Sequence, residues 1–285
     1  MFTALAKFIM RGRLQAAVLV LLSIPVLSHA VISLVCLRRG IREGLLMVLI
    51  GLSPVLLYWV LGHSNEQALL AKLFVLAAVL LPAMCLRATV SWSFTLIACV
   101  TFTVAGVLLI ASMAEGLLAG FGEAIAEFVE RFQTTNPEAT DKLPDSTSFA
   151  AMSGFLALSV LISSLTGLVA GRWLQSLLYN PEGFGKEFRE LRLGFLPSVI
   201  CLIFSVMFLL QGPDYGFWAI VFTLPLLLVA VSLAHYLAQG RELGLASLIV
   251  FYVLIFSPVL LVLAFIGFID SWLNIRNHFS APNKR

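Results

Sequence analysis

Charge is scarce in this chain. Lys, Arg, Asp and Glu make up 12% of its 285 residues, where soluble domains carry about a quarter. A water-soluble fold is thereby excluded, because its surface could not be covered. The 18 basic and 15 acidic residues leave a net charge of only +3. No basic cluster sits beside interleaved aromatics, so nucleic acid is excluded as a partner. Cysteine is equally sparse. Cys36, Cys85, Cys99 and Cys201 lie in or at the ends of apolar runs, and no two form a CxxC. That excludes a disulfide framework or a zinc finger and reads as four small buried hydrophobes. Walker, GxSxG and GxGxxG patterns are missing. His29, His63, His235 and His278 show no close ligand spacing. No catalytic residue, metal or cofactor is therefore expected, and the chain reads as a non-enzyme. Period-two alternation is absent too, which argues against an outer-membrane barrel.

What is present is apolar sequence: 60% hydrophobic residues and a mean hydropathy of +1.02. A membrane helix needs about 20 such residues to cross about 30 Å of hydrocarbon. Runs of that kind occur at 14–37, 43–61, 69–86, 90–112, 149–171, 195–211, 216–238 and 245–269. The expectation is an all-α polytopic bundle of about eight membrane helices, forming one integral domain over 1–285. Lys7, Arg11 and Arg13 precede Ser28-His29-Ala30 in the manner of a signal peptide. The apolar sequence runs on to Leu37, however, so the segment reads as a span.

Two stretches between runs look ordered. Over 113–148, Leu117, Phe121, Ile125, Phe128 and Phe132 recur at helical spacing, and seven acidic residues face only Arg131 and Lys142. This reads as an amphipathic helix and acidic loop outside the cell. In the 172–194 loop a short helix is expected over 183–195, where Phe184, Phe188, Leu191 and Phe195 share one face and the charges take the other. With Arg172, Lys186, Arg189 and Arg192 this loop belongs in the cytoplasm by the positive-inside rule. Alternation then places Arg38, Arg39, Arg42, Arg87 and Arg241 inside as well.

Eight straight spans would put both basic termini outside. Pro25 and Pro258 offer a resolution, since proline breaks a helix. Residues 3–24 could rise and 26–37 return as a hairpin, and the last run could do the same at Ser257-Pro258. A kinked single helix remains the alternative for each run.

Three features are candidates for function. Ser159, Ser163, Gly167 and Gly171 step by four along one helix face, which allows close helix packing within the bundle or between two copies. Ser23, Ser28, His29 and Ser33 flank the Pro25 break, and an ionisable group inside a membrane is a functional candidate by default. Asp270 either caps an interfacial helix beside Trp272 or pairs with Arg276.

The motifs Leu37-Arg38-Arg39-Gly40, Leu178-Tyr179-Asn180-Pro181 with Gly183-Phe184, Glu187-Phe188 through Leu191-Arg192-Leu193, and Gly267-Phe268-Ile269-Asp270 with Arg276 carry a resemblance. Through them the chain resembles, nearly end to end, the YybS-like family of predicted bacterial membrane proteins. That family is distantly similar to the substrate-capture subunits of energy-coupling-factor transporters. The resemblance implies a small helical bundle that captures a solute near the outer face and docks on a membrane partner. The chain departs from those subunits in one respect: Ala16 and Ala17 do not repeat at i, i+4 as their docking alanines do.

The leading expectation is a multi-pass bacterial inner-membrane subunit, transport-associated, that binds a small solute at Ser23, Ser28, His29 and Ser33. The alternative is a membrane scaffold without a solute, meeting a membrane protein partner or the lipid bilayer through Phe184, Phe188, Leu191 and Arg192.

Overall fold

Every element is a helix, and no strand occurs among the described residues of the computed structural model. These are residues 1–113, 148–239 and 243–279, with scattered positions between 118 and 145. In order the helices are α1 (Phe2–Arg11), α2 (Arg13–Leu21), α3 (Pro25–Arg39), α4 (Ile41–Val60), α5 (Glu66–Thr89), α6 (Trp92–Met113), α7 (Phe149–Tyr179), α8 (Gly183–Arg189), α9 (Phe195–Leu210), α10 (Gly216–Ala238), α11 (Gly244–Ile255), α12 (Leu260–Leu273) and α13 (Arg276–Phe279). The acidic 113–148 segment lies largely outside the described residues.

Among the described residues, five helical segments are long and apolar enough to cross a bilayer: Ile41–Val60, Glu66–Thr89, Trp92–Ser112, Phe149–Tyr179 and Pro213–Ala238. The count is six if α11 and α12 form one span. Large apolar side chains such as Leu49, Leu57, Leu108 and Ile162 stand exposed on them. Lipid tails are the environment such faces require, so this is a membrane protein. Three of the eight apolar runs depart from a simple span. The first is broken at 22–24. The sixth, α9, has 16 residues, about 24 Å at 1.5 Å per residue, short of about 30 Å of hydrocarbon. The last is bent by 118° between α11 and α12.

Proline chemistry makes the first break. Pro25 is the first residue of α3, where its missing N–H costs nothing, and it forces Ile24 out of the helical region to φ −70°, ψ 114°. Ser23 absorbs the remaining reversal at φ 52°. The two arms then run antiparallel. Near the break Ser28 Oγ donates to the Leu19 carbonyl at 3.5 Å. At the far end Arg39 Nη2 donates to the Met10 carbonyl at 2.7 Å. The rising arm is itself divided at Gly12, so that α1 packs on the last turns of α7 through Phe2 and Trp173, with ring centroids 5.0 Å apart.

The 31-residue α7 is the central pillar. It packs against α3, α5, α6 and α10. The small-residue stripe sets its approach to α3. A methyl group at Gly167 would lie 2.5 Å from His29 Cβ, and one at Gly171 would lie 2.6 Å from Ser33 Cβ. The stripe is thus consumed within the chain, with Ser159 half-buried one turn beyond Ser163. Hydroxyls tie further pairs: Ser164 Oγ donates to the Ala78 carbonyl, and Ser205 and Thr223 share a hydrogen bond at 2.6 Å between α9 and α10.

One end of the bundle gathers the arginines of α1–α13. Arg87 Nη1 donates to the Leu37 carbonyl at 2.6 Å, where the C-terminal end of α3 concentrates negative partial charge. Arg172 pairs with Glu187 of α8, and Trp92 reaches the same carboxylate at 3.4 Å. Arg192 Nε donates to the Asp270 carbonyl at 3.1 Å. Arg276 pairs with the fully buried Asp270, Nε to Oδ2 at 3.0 Å, and its Nη2 donates to the Leu191 carbonyl at 2.8 Å. Burial pushes the Arg276 pKa below its ordinary value, against the pull of Asp270. Of the two roles open to Asp270, pairing with Arg276 is the one realised.

Candidate functional site

The break before α3 leaves room beside it. At the end of the bundle away from the arginines, a cavity of about 520 Å³ lies between the α2–α3 hairpin and helices α4, α5 and α7. Val20, Gly51, Val55, Val75 and Leu76 give it an apolar wall. Ser23, Ser28, His29, Lys72 and Ser163 supply its polar groups. Ser23 at the rim is exposed and Lys72 half-exposed, while Ser28 and His29 are each only 5% exposed.

Each polar group has a local reason for its position. Ser28 and His29 occupy the first turn after Pro25, so the proline that breaks the run also fixes where they sit. Gly167 lets the His29 backbone come against α7, which holds the ring beside the cavity. Its Nδ1 is buried and has no hydrogen-bond partner. Lys72 is carried in the second turn of α5. That helix begins where the Asn65 side chain accepts from the Ala68 N–H at 2.8 Å, an N-cap that starts it in register. Lys72 forms no hydrogen bond or ion pair with any described residue, and the cavity lining contains no carboxylate.

Ser23, Ser28 and His29, singled out by the sequence, therefore share one cavity, and Ser33 does not. It sits one turn deeper, fully buried against Gly171, its hydroxyl without a partner. Ser163 enters the lining from the small-residue stripe. Lys72 was missed by the sequence reading, although a signal existed: it is the one charged residue between Gln67 and Leu86, and an isolated cation in an apolar helix is a site marker.

The remaining histidines are elsewhere. His63 is exposed beside Tyr58 in the loop after α4, with ring centroids 6.3 Å apart. His235 Nε2 shares a hydrogen bond with Tyr252 Oη at 2.9 Å. The side chain of His278 lies outside the described residues. Among the described residues no group of three or more His, Cys, Asp or Glu could hold a metal ion. The four cysteines are free, three buried and Cys85 half-buried.

The face assigned to partner binding is largely turned inward. Phe184 packs against Trp92 at 6.1 Å and against Phe188 at 5.8 Å between centroids, and Phe188 packs edge-on against His235. Leu191 is 4% exposed, and Arg192 is held by the α12 carbonyls. The amphipathic helix expected over 183–195 ends at Arg189, residues 191–194 are not helical, and a new helix starts at Phe195 after Gly194 at φ 79°. Its periodic apolar residues thus face two different parts of the bundle. Comparison with protein families, with curated proteins and with solved structures returns no match for this chain.

Proposed function

We propose that this chain is a multi-pass protein of the bacterial inner membrane that captures a small solute in the cavity beside the α2–α3 hairpin, without chemistry on it. The observation that carries the reading is a cavity of about 520 Å³, largely apolar, that holds a buried His29 Nδ1 and a Lys72 with no partner for either among the described residues. Solute sites are commonly concave, about 300–1,000 Å³, mostly apolar and provided with a few convergent polar groups. A packed core would not leave such groups unmatched without a stability cost.

In the orientation we propose, the arginine-rich end faces the cytoplasm, following the positive-inside rule, and the cavity faces outward. Both broken runs then enter and leave from the cytoplasmic side. With the short α9 they bring the passages into the bilayer to about eight. The resemblance to the YybS-like proteins, and through them to transporter capture subunits, supports the same reading. The scaffold alternative has weaker support, because Leu191 and Arg192 are occupied by contacts within the chain.

The test is native mass spectrometry of the gently purified protein, beside the His29→Leu variant. A co-purified small molecule bound to the parent and depleted in the variant is expected. Absence of any bound species across several lipid conditions counts against capture.

A further inference from the structure

We infer that the solute of this cavity is an anionic amphiphile, its charged head held by Lys72 and its apolar body lying along Val20, Val55, Val75 and Leu76. This rests on the solute-binding reading above and adds the chemical class. The cavity offers one formal charge, positive, and none of its lining residues is acidic. Among the described residues, Glu66, Glu123, Glu127, Glu130, Asp145 and Asp214 make no ion pair with Lys72, whose ammonium has no partner there. An ammonium at the edge of an apolar pocket gains most from an opposite charge delivered by the ligand, since the surroundings weaken screening. A cationic solute would meet repulsion there, and a neutral one would leave the ammonium as it is.

The hydroxyls of Ser23 and Ser163 and the unpartnered His29 Nδ1 lie around the same space. They can complete the hydrogen bonds of a carboxylate, phosphate or sulfonate head. Hydroxyls donate to such an oxygen, and the imidazole donates through Nδ1 in the tautomer that carries its proton there. The rest of the lining, Ser28 aside, is aliphatic side chains, Pro25 and Gly51, where Val20 Cγ1 would lie 3.0 Å from an added methyl. That wall has no hydrogen bonds to offer, so the body of the ligand is hydrocarbon.

The anion has two possible sources: a water-soluble organic acid or the headgroup of an anionic lipid. One experiment separates them. The full chain is placed in nanodiscs of phosphatidylcholine. Saturable binding is then measured for a panel of small carboxylates, phenylbutyrate first, each with its amide and its amine. The carboxylates are expected to bind at least about tenfold more tightly than their amides, a difference of about 1.4 kcal/mol. Lys72→Met should erase that preference, and Lys72→Arg should keep it. Repeating the measurement with phosphatidylglycerol in the disc gives the source. Competition by the lipid points to a headgroup and its absence to a free acid, and either result supports an anion at Lys72.

Amides or amines binding as tightly as the acids would overturn the inference while leaving solute capture standing, as would a preference that survives Lys72→Met. No saturable binding by any member of the panel would overturn both.

Discussion

His29 is the side chain on which the proposed capture bears most directly. It is 95% removed from solvent and lies against the backbone face opened by Gly167, yet its Nδ1 has no hydrogen-bond partner among the described residues. A buried polar atom without a partner costs about 1–3 kcal/mol. Leucine fills a similar volume without that atom. The His29→Leu variant is therefore expected to match or exceed the parent in thermal stability, by up to about 1 kcal/mol, while losing the solute. Thermal unfolding in detergent is the check. A loss of more than about 1 kcal/mol would mean that the ring is bonded inside the protein after all. Lys72 differs in kind. Its charge lies at the rim of the cavity and its stem can extend toward water, so its replacement bears on binding and hardly on stability.

At the scale of elements, the contact of α3 with α7 decides the most. Pro25 starts α3 and the glycines of α7 receive it, so two local sequence features meet in one interface. Gly171 faces Ser33 Cβ and the Ala30 carbonyl at distances too short for any side chain. Gly171→Val should drive the helices apart at a cost of about 1–3 kcal/mol. Gly216→Ala, with open space around it, should be tolerated. Comparing their unfolding temperatures separates a packing requirement from a general aversion to replacing glycine in a helix.

The short segment of mixed charge around α8 is the other decisive element. Arg276 ties Asp270 to the carbonyls of Arg189 and Leu191, which joins the last helices to the loop after α7. Removing one partner of a buried ion pair leaves a charge without compensation. Arg276→Met is expected to destabilise by about 3–5 kcal/mol, and the double variant Arg276→Met with Asp270→Leu should recover most of that loss. A single variant as stable as the parent would show that the pair does not hold the two halves together.

For the whole molecule, the consequence is sidedness. The arginines of α1–α13 collect at one end through both hairpins, and the cavity opens at the other. A reporter active in the cytoplasm, fused before Met1, should be active. One inserted at His63-Ser64, in the loop between α4 and α5, should be inactive, while a periplasmic reporter behaves in the opposite way. The reverse pattern would invert the proposed orientation and place the cavity toward the cell interior.

By itself the sequence determined the medium and the material of the fold. Low charge and long apolar runs demand lipid and helices whatever the arrangement, because each helix closes its own hydrogen bonds. It also placed Ser28 and His29 in the turn after Pro25, where a reversal or a kink was open; the structure takes the reversal there, while Pro54, Pro82 and Pro225 sit inside continuous helices. The tertiary structure alone decided that Lys72 of α5 stands across from His29, and that Ser33 turns away from the cavity into Gly171. It also decided that Leu191 and Arg192 are engaged within the bundle. Periodicity reports which residues share a face of one helix. Which face meets which neighbour depends on crossings between segments distant along the chain, and a cavity exists only where several such crossings leave a gap.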